Sequence, residues 1–172
     1  QAVQPGIESK MNHLPIFENP NYIPSNKLKG KVAIISGGDS GIGRAVSILF
    51  AKEGADIIIN YLNENEDANM TKKIIEDLGR NCLLIPGDLR DENLSTYIAD
   101  TAIDCFGKIN ILVNNCAVQF TQNSILDITA KQLKDTFETN VYTFFYLTKA
   151  VLPYLESYSS IINTCSVTAF KG

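Results

Sequence analysis

The sequence holds a single histidine, His13, and four cysteines, Cys82, Cys105, Cys116 and Cys165, with no Cys-x-x-Cys pair among them. So few grouped ligands exclude a zinc-cluster reading, and no metal is expected. No apolar run approaches the ~18 residues of a membrane-spanning helix, so no membrane partner is expected. Positive charge is scarce too: 15 Lys and Arg stand against 19 Asp and Glu, a net charge of −4. A nucleic-acid binder would show a basic face instead, and none is expected here. Residues 1–29 lack a continuous apolar core and hold Pro5, Pro15, Pro20 and Pro24, so they do not read as a secretory signal. The cysteines then read as buried free thiols of a reducing cytosol, which gives a cytoplasmic expectation. The Asn69-Met70-Thr71 and Asn93-Leu94-Ser95 sequons read as chance matches. Internal repeats and low-complexity tracts are also missing.

What is present is a chain of 172 residues, 45% hydrophobic, enough for one domain with a sizeable core. Residues 1–29 read as a proline-containing arm, because their prolines block helix and central strand. Residues 30–172 read as the domain. There, short β-branched runs alternate with helical periods, the pattern of βαβ units around a parallel sheet. Strands are expected at 31–36, 56–60, 82–85, 110–113 and 160–165. Helices are expected from about 44 to 52 and 65 to 78, and after an N-cap at Asp91. Gly54, Gly79 and Gly107 stand where these three helices stop. Thr129 and Gln132 have the spacing of a capping box for a long helix. Its apolar face is expected along Leu133, Phe137, Val141, Phe144, Thr148, Val151 or Leu152, and Leu155, with Pro153 tightening the last turns. The fold class is therefore α/β, a doubly wound parallel sheet of Rossmann type, incomplete at its C-terminal side.

The first strand runs into Ser36-Gly37-Gly38-Asp39-Ser40-Gly41-Ile42-Gly43 and then a helix. Glycines at 37, 41 and 43 let the chain turn sharply and let backbone approach a pyrophosphate closely. The helix start adds free N–H groups and a partial positive charge. An NAD site ordinarily carries an acidic residue at the end of the second strand, but Asn60-Tyr61-Leu62 stands there. No Lys or Arg is placed to pair with a 2′-phosphate, and Asp39 would repel one. The cofactor is read as NAD or NADP, leaning to NAD.

Taken in order, these residues resemble the short-chain dehydrogenase/reductase family. Ser36 to Gly43 resembles its TGxxxGIG loop, with Ser for Thr. Gly87-Asp88-Leu89 resembles its adenine-binding Asp motif, and Asn114-Asn115-Cys116-Ala117 its NNAG motif, with Cys for Ala and Ala for Gly. Asn140 and Ser166 match its active-site Asn and Ser. The resemblance covers Lys31 to Gly172. The segment Gln4-Pro5-Gly6-Ile7-Glu8-Ser9-Lys10-Met11, with the glycine loop, is similar to the bacterial general-stress subgroup. The resemblance implies hydride transfer between nicotinamide and a small carbonyl or alcohol substrate. It implies that Gly37, Ser40, Gly41, Ile42, Gly43, Tyr61, Asp88, Leu89, Asn114 and Ala117 bind cofactor. It implies that Ser166 polarises the substrate oxygen and that Asn140 holds a water chain. A homotetramer is implied as well, and the arm is expected on a neighbouring subunit.

One part of the family pattern is missing. Its Tyr-x-x-x-Lys pair, in which the Lys lowers the pKa of the proton-transferring Tyr, would begin about a dozen residues after Ser166. The sequence ends at Gly172. Tyr142, Tyr146 and Tyr154 lie on the long helix, and Lys149 is not four residues after a tyrosine. The chain is read as the N-terminal part of a larger enzyme. The alternative is a dinucleotide-binding or interaction protein without catalysis.

Overall fold

In the computed structural model, which describes residue 6 and residues 8–167, the apolar runs form five parallel strands. They are β1 (Val32–Ser36), β2 (Asp56–Tyr61), β3 (Cys82–Pro86), β4 (Ile109–Asn114) and β5 (Leu155–Asn163), in the spatial order β3-β2-β1-β4-β5. Helices α1 (Gly41–Lys52), α2 (Asn65–Asp77) and α3 (Glu92–Phe106) connect the first four strands. A continuous helical stretch precedes β5: α4 (Ala130–Phe137), a π turn (Glu138–Tyr142) and α5 (Thr143–Val151). Pro153 lies in a tight 3-10 turn, Leu152–Tyr154, as its position in the sequence predicts.

Strands β1 to β4 are largely apolar without alternation because they are covered on both faces. From β1, Ala33 and Ile35 pack with Ile48 and Ala51 of α1 and with Ala68 and Ile75 of α2. Val32 and Ile34 face the other way, toward Ile98 and Ala102 of α3 and Leu147 and Val151 of α5. Each fully buried Ile or Leu removes enough apolar surface from water to stabilise the fold by roughly 1.5–3 kcal/mol. Local signals agree with this packing. The Asp91 side chain caps α3 by accepting from the Asn93 N–H at 3.0 Å, and Gly107 ends that helix in the left-handed conformation with φ 72°. The capping box of Thr129 and Gln132 is present at the start of α4.

Three expectations need correction. The fifth strand begins at Leu155 and ends at Asn163, not 160 to 165. Its first half is bulged: Ile109 pairs with Leu155 and Ile111 with Ser160, and Tyr158 takes φ 70° with its ring exposed. Residues 156–160 carry no apolar alternation, so only their backbone pairing reveals the strand. Of the expected face of the long helix Val151 is buried and Phe144, Thr148 and Leu155 are half-buried, but Leu133, Phe137 and Val141 are exposed and Thr143 and Leu147 are the other buried positions. The π turn inserts an extra residue and rotates the predicted stripe off the sheet. Of the four free cysteines only Cys82 is buried; Cys116 is half-buried, and Cys105 and Cys165 are exposed.

The described arm packs along α1 of its own chain. Glu53, at the end of α1, accepts from the Tyr22 hydroxyl and from the Lys27 N–H at 2.7 Å. Lys52 pairs with Glu18 at 2.7 Å, and Phe17 packs into the α1 core. These contacts fix the arm along α1. Gln4, Pro5 and Ile7 of the subgroup-like motif lie outside the described residues, as do residues 168–172.

Candidate dinucleotide site

The strand order makes a crevice inevitable. From β1 the chain steps outward one way to β2 and β3, then returns to the other side for β4 and β5. The loops leaving β1 and β4 therefore diverge, and ligands of open α/β sheets sit at this switch point, beyond the carboxyl ends of the strands. A cavity of about 1050 Å³ opens there.

Hydrogen bonds stitch its floor. The Ser36 hydroxyl accepts from the N–H groups of Asn115 (2.9 Å) and Cys116 (3.1 Å). The Asn115 amide donates back to the carbonyls of Ser36 (3.3 Å) and Gly37 (3.2 Å) and accepts from the Thr164 hydroxyl at 3.2 Å. One side chain thus joins the ends of β1, β4 and β5. In the resemblance the NNAG motif counts as a unit; the structure divides its labour. Asn115 lines the cavity, while Asn114 is fully buried below it, donating to Asn163 (2.9 Å) and Thr148 (3.1 Å).

The phosphate loop fits a dinucleotide on steric grounds. A Cβ on Gly43 would lie 1.8 Å from the Gly37 carbonyl oxygen, so only glycine lets α1 start this close to β1. Gly37 has φ 63°, and its missing Cβ leaves room for Cys116. Gly37, Ser40, Ile42 and Gly43 line the cavity. Gly41 does not; its N–H turns outward and donates to Glu8 of the arm at 2.6 Å. The N–H groups of Ile42 and Gly43 belong to the first turn of α1, which has no intrahelical acceptors for them.

Beyond the loop, Tyr61 and Asp39 form one wall and Asp88, Leu89 and Ala117 another. The Tyr61 hydroxyl donates to Asn65 at 2.7 Å. Asn60, at the position of the usual acidic residue, directs its amide N–H groups to the carbonyls of Ile85 (3.1 Å) and Gly87 (3.2 Å). Burial raises the Asp39 carboxyl above the ordinary range, and the negative charges of Glu64 and Asp67 add to this. Arg90 does the opposite to Asp88: its guanidinium, 2.5 Å away, holds that carboxylate below the usual range.

At the far end stand Asn140 and Ser166, both lining the same cavity. Asn140 lies in the π turn. Its amide clamps Val118, accepting from the Val118 N–H and donating to the Val118 carbonyl, both at 2.8 Å. Helical period places Asn140 on a helix; it gives no hint that an extra residue in the turn aims the amide at the β4 loop. Ser166 follows β5 and borders the mouth. Cys116 also lines the cavity, and burial pushes its thiol pKa up, away from the thiolate that a nucleophile needs. Among the described residues no cluster of metal ligands is found, and no helix is long and apolar enough to cross a membrane.

Comparison with known proteins agrees with this geometry. Residues 31–172 match the family model described as short chain dehydrogenase. The whole chain is 57% identical to the uncharacterized oxidoreductase YhdF of Bacillus subtilis and 52% identical to General stress protein 39 of the same organism, covering 60% of each. The chain thus spans about 60% of the length of these curated relatives. Among solved structures, a short chain dehydrogenase from Burkholderia cenocepacia in complex with NADP superposes with a TM-score of 0.80 at 32% identity, over 84% of this chain and 59% of that one. Carveol dehydrogenase from Mycobacterium avium, in complex with NAD, gives 0.79 at 27% identity, over 86% and 58%. The switch-point crevice, its glycine cradle and the order of its landmarks are those of one family, and the chain belongs to the short-chain dehydrogenases.

Proposed function

We propose that this chain is the dinucleotide-binding part of an NAD(P)-dependent oxidoreductase acting on a small carbonyl or alcohol. One observation carries the reading: the glycine cradle at one end and Asn140 and Ser166 at the other share a single cavity. A bound dinucleotide supplies the hydride. The chain's own residues bind and orient. The α1 start faces the pyrophosphate with the N–H groups of Ile42 and Gly43, and Asp88, held ionised by Arg90, accepts from the adenine amine. Asn140 fixes the Val118 loop against the nicotinamide end, and the Ser166 hydroxyl donates to the substrate oxygen, polarising it. The Tyr-x-x-x-Lys pair that handles proton transfer in the family pattern is not found in this sequence. In the enzyme assayed with NADH or NADPH against a panel of aldehydes and ketones, Ser166→Ala should lower kcat/KM by about 10²–10³-fold and leave dinucleotide affinity within twofold. Equal turnover by the variant would remove Ser166 from the chemistry; absence of dinucleotide binding would overturn the reading.

We read the site as favouring NAD. The cavity lining beside the phosphate loop carries Asp39 and Glu64, and Arg90, the cation that lines the cavity among the described residues, is paired with Asp88. Like charges about 6–8 Å apart cost roughly 2–3 kcal/mol at an effective dielectric constant of ~20, so NADH should bind about tenfold or more tighter than NADPH in calorimetric titration. Because the Asp39 pKa is raised, lowering the pH neutralises it early, and the preference should narrow toward acid. A preference for NADPH at neutral pH would refute this assignment.

We further read the protein as cytoplasmic, since free thiols suit a reducing compartment, and as a homotetramer, since Val141, Tyr142 and Phe145 form an exposed apolar face on the long helix. The division into an arm of residues 1–29 and a domain of residues 30–172 is retained. Its support is that the described arm attaches to α1 without adding a strand to the sheet.

A further inference from the structure

The arm reaches the phosphate loop. From Glu53 at one end of α1 it runs past Lys52 and Phe17 to Glu8 at the other, where a single 3-10 turn, Glu8–Lys10, sets a carboxylate that is only 7% exposed. One oxygen accepts from the Gly41 N–H at 2.6 Å. The other pairs with the Arg44 guanidinium. Arg44 in turn donates through Nε to the Asp39 carbonyl (3.0 Å) and to Thr71 (2.8 Å), and the Thr71 hydroxyl donates to the same carbonyl at 2.7 Å. The segment 39–41 is therefore held at both ends by one network that begins in the arm. Glu8 is not among the cavity-lining residues, so it grips the loop from behind.

We propose that Glu8 is a positioning residue for the dinucleotide, fixing the Asp39–Gly41 turn from outside the cavity and making the arm part of the cofactor site. The inference deepens the dinucleotide reading of the crevice and rests on it. A loop with glycines at 37, 38, 41 and 43 has much conformational freedom to lose when it closes on a ligand. A charge-assisted bond to the Gly41 N–H removes that freedom in advance, and pre-organisation is gained as affinity. Arg44 balances the Glu8 charge, so the carboxylate does not repel an incoming phosphate.

The test compares Glu8→Ala, Glu8→Gln and Tyr22→Phe with the unsubstituted protein by NADH fluorescence titration and by amide hydrogen exchange without ligand. Glu8→Ala should raise the NADH Kd about tenfold, with Glu8→Gln intermediate because it keeps an acceptor for Gly41. Exchange across 39–43 should quicken at least tenfold in Glu8→Ala while β1 stays protected. Where turnover is followed, KM for the dinucleotide should rise and kcat stay within twofold. Tyr22→Phe loosens the opposite end of the arm and should lower Tm without moving Kd. A Glu8→Ala Kd within twofold of the original overturns the proposal. So does an equal rise in Tyr22→Phe, which would make arm docking in general the cause. If the unsubstituted protein binds neither NADH nor NADPH, the dinucleotide reading itself fails, and with it the cofactor role of Glu8. Exchange at 39–43 then reports only whether Glu8 holds the loop, and unchanged exchange in Glu8→Ala would overturn that as well.

Discussion

Gly43→Ala should nearly abolish dinucleotide binding and lower Tm by about 6–12 °C, the shift expected for ~3 kcal/mol in a domain of this size. Three atoms crowd the new Cβ: the Gly37 carbonyl oxygen at 1.8 Å, the Gly37 carbonyl carbon at 2.7 Å and the Asn115 amide nitrogen at 2.9 Å. None is the free end of a flexible side chain. The carbonyl belongs to the turn, and the amide is bound to Ser36, Gly37 and Thr164. Relief requires α1 to move off the end of β1, which disturbs the buried contacts of Ile48 and Ala51 and puts the substitution at the costly end of the ~1–3 kcal/mol range for overpacking. Gly41→Ala is the informative control. Its Cβ meets nothing within 4 Å, and only the φ of 52° opposes it, at about 1–2 kcal/mol. A Kd for NADH within twofold and a Tm within 2 °C for Gly43→Ala would show that the close approach of helix and strand is not required.

The glycine loop was legible because its constraint is local. A strand, a turn and a helix start follow one another in sequence, and the three glycines mark the places where backbone must pass backbone. The strands β1 to β4 were legible for a similar reason: burial on both faces writes an uninterrupted apolar run, as in Ile57-Ile58-Ile59. Where contact is long-range the sequence was silent. Nothing in the spelling of Asn114-Asn115 says which asparagine faces the crevice, because that is decided by the pleat at the end of β4 and by Ser36 about 80 residues earlier. On α5 the expected stripe meets the buried face only at Val151, because a period of 3.6 assumes an unbroken helix and the π turn at Glu138–Tyr142 shifts the phase. The same turn aims Asn140 at Val118. Prolines in residues 1–29 point to an arm without α-helix or strand, and its described residues hold only the 3-10 turn Glu8–Lys10; composition does not reveal that Glu8 and Phe17 meet Arg44 of α1 and that Tyr22 meets Glu53 at its end. In the sequence Arg44 only marks the start of a helix, because an arginine in a first helical turn ordinarily belongs to solvent.

Arg44 is in fact only 1% exposed, and Arg44→Ala should be among the most damaging single substitutions in the arm-and-loop region. Its guanidinium pairs with Glu8 and with Asp67 at 3.3 Å, lies 5.3 Å from the Phe17 ring centroid and bonds the Asp39 carbonyl. Removing it leaves two carboxylates, Glu8 at 7% and Asp67 at 6% exposure, without a counter-charge. Breaking such a buried pair from one side costs about 3–5 kcal/mol, much more than the net value of the intact pair. The molecule has one escape: the arm can peel away and return Glu8 to water, which limits the loss and sacrifices the Gly41 and Phe17 contacts. Arg44→Ala should therefore lower Tm by about 10 °C, speed trypsin cleavage at Lys10 and Lys27 in the released arm, and weaken NADH binding more than Glu8→Ala does. Arg44→Met restores volume but not charge, so it should recover little of the stability. Adding Asp67→Asn to it should recover more, since the remaining stranded charge is then gone. Because the cluster is out of water, raising salt from 0.1 to 1 M should leave these differences nearly intact, unlike those of the exposed Lys73–Asp77 pair. If Arg44→Met alone matched the original protein in Tm and cleavage rate, the guanidinium would be acting through its bulk, and the charge network joining arm, α1 and α2 would contribute nothing to holding the phosphate loop.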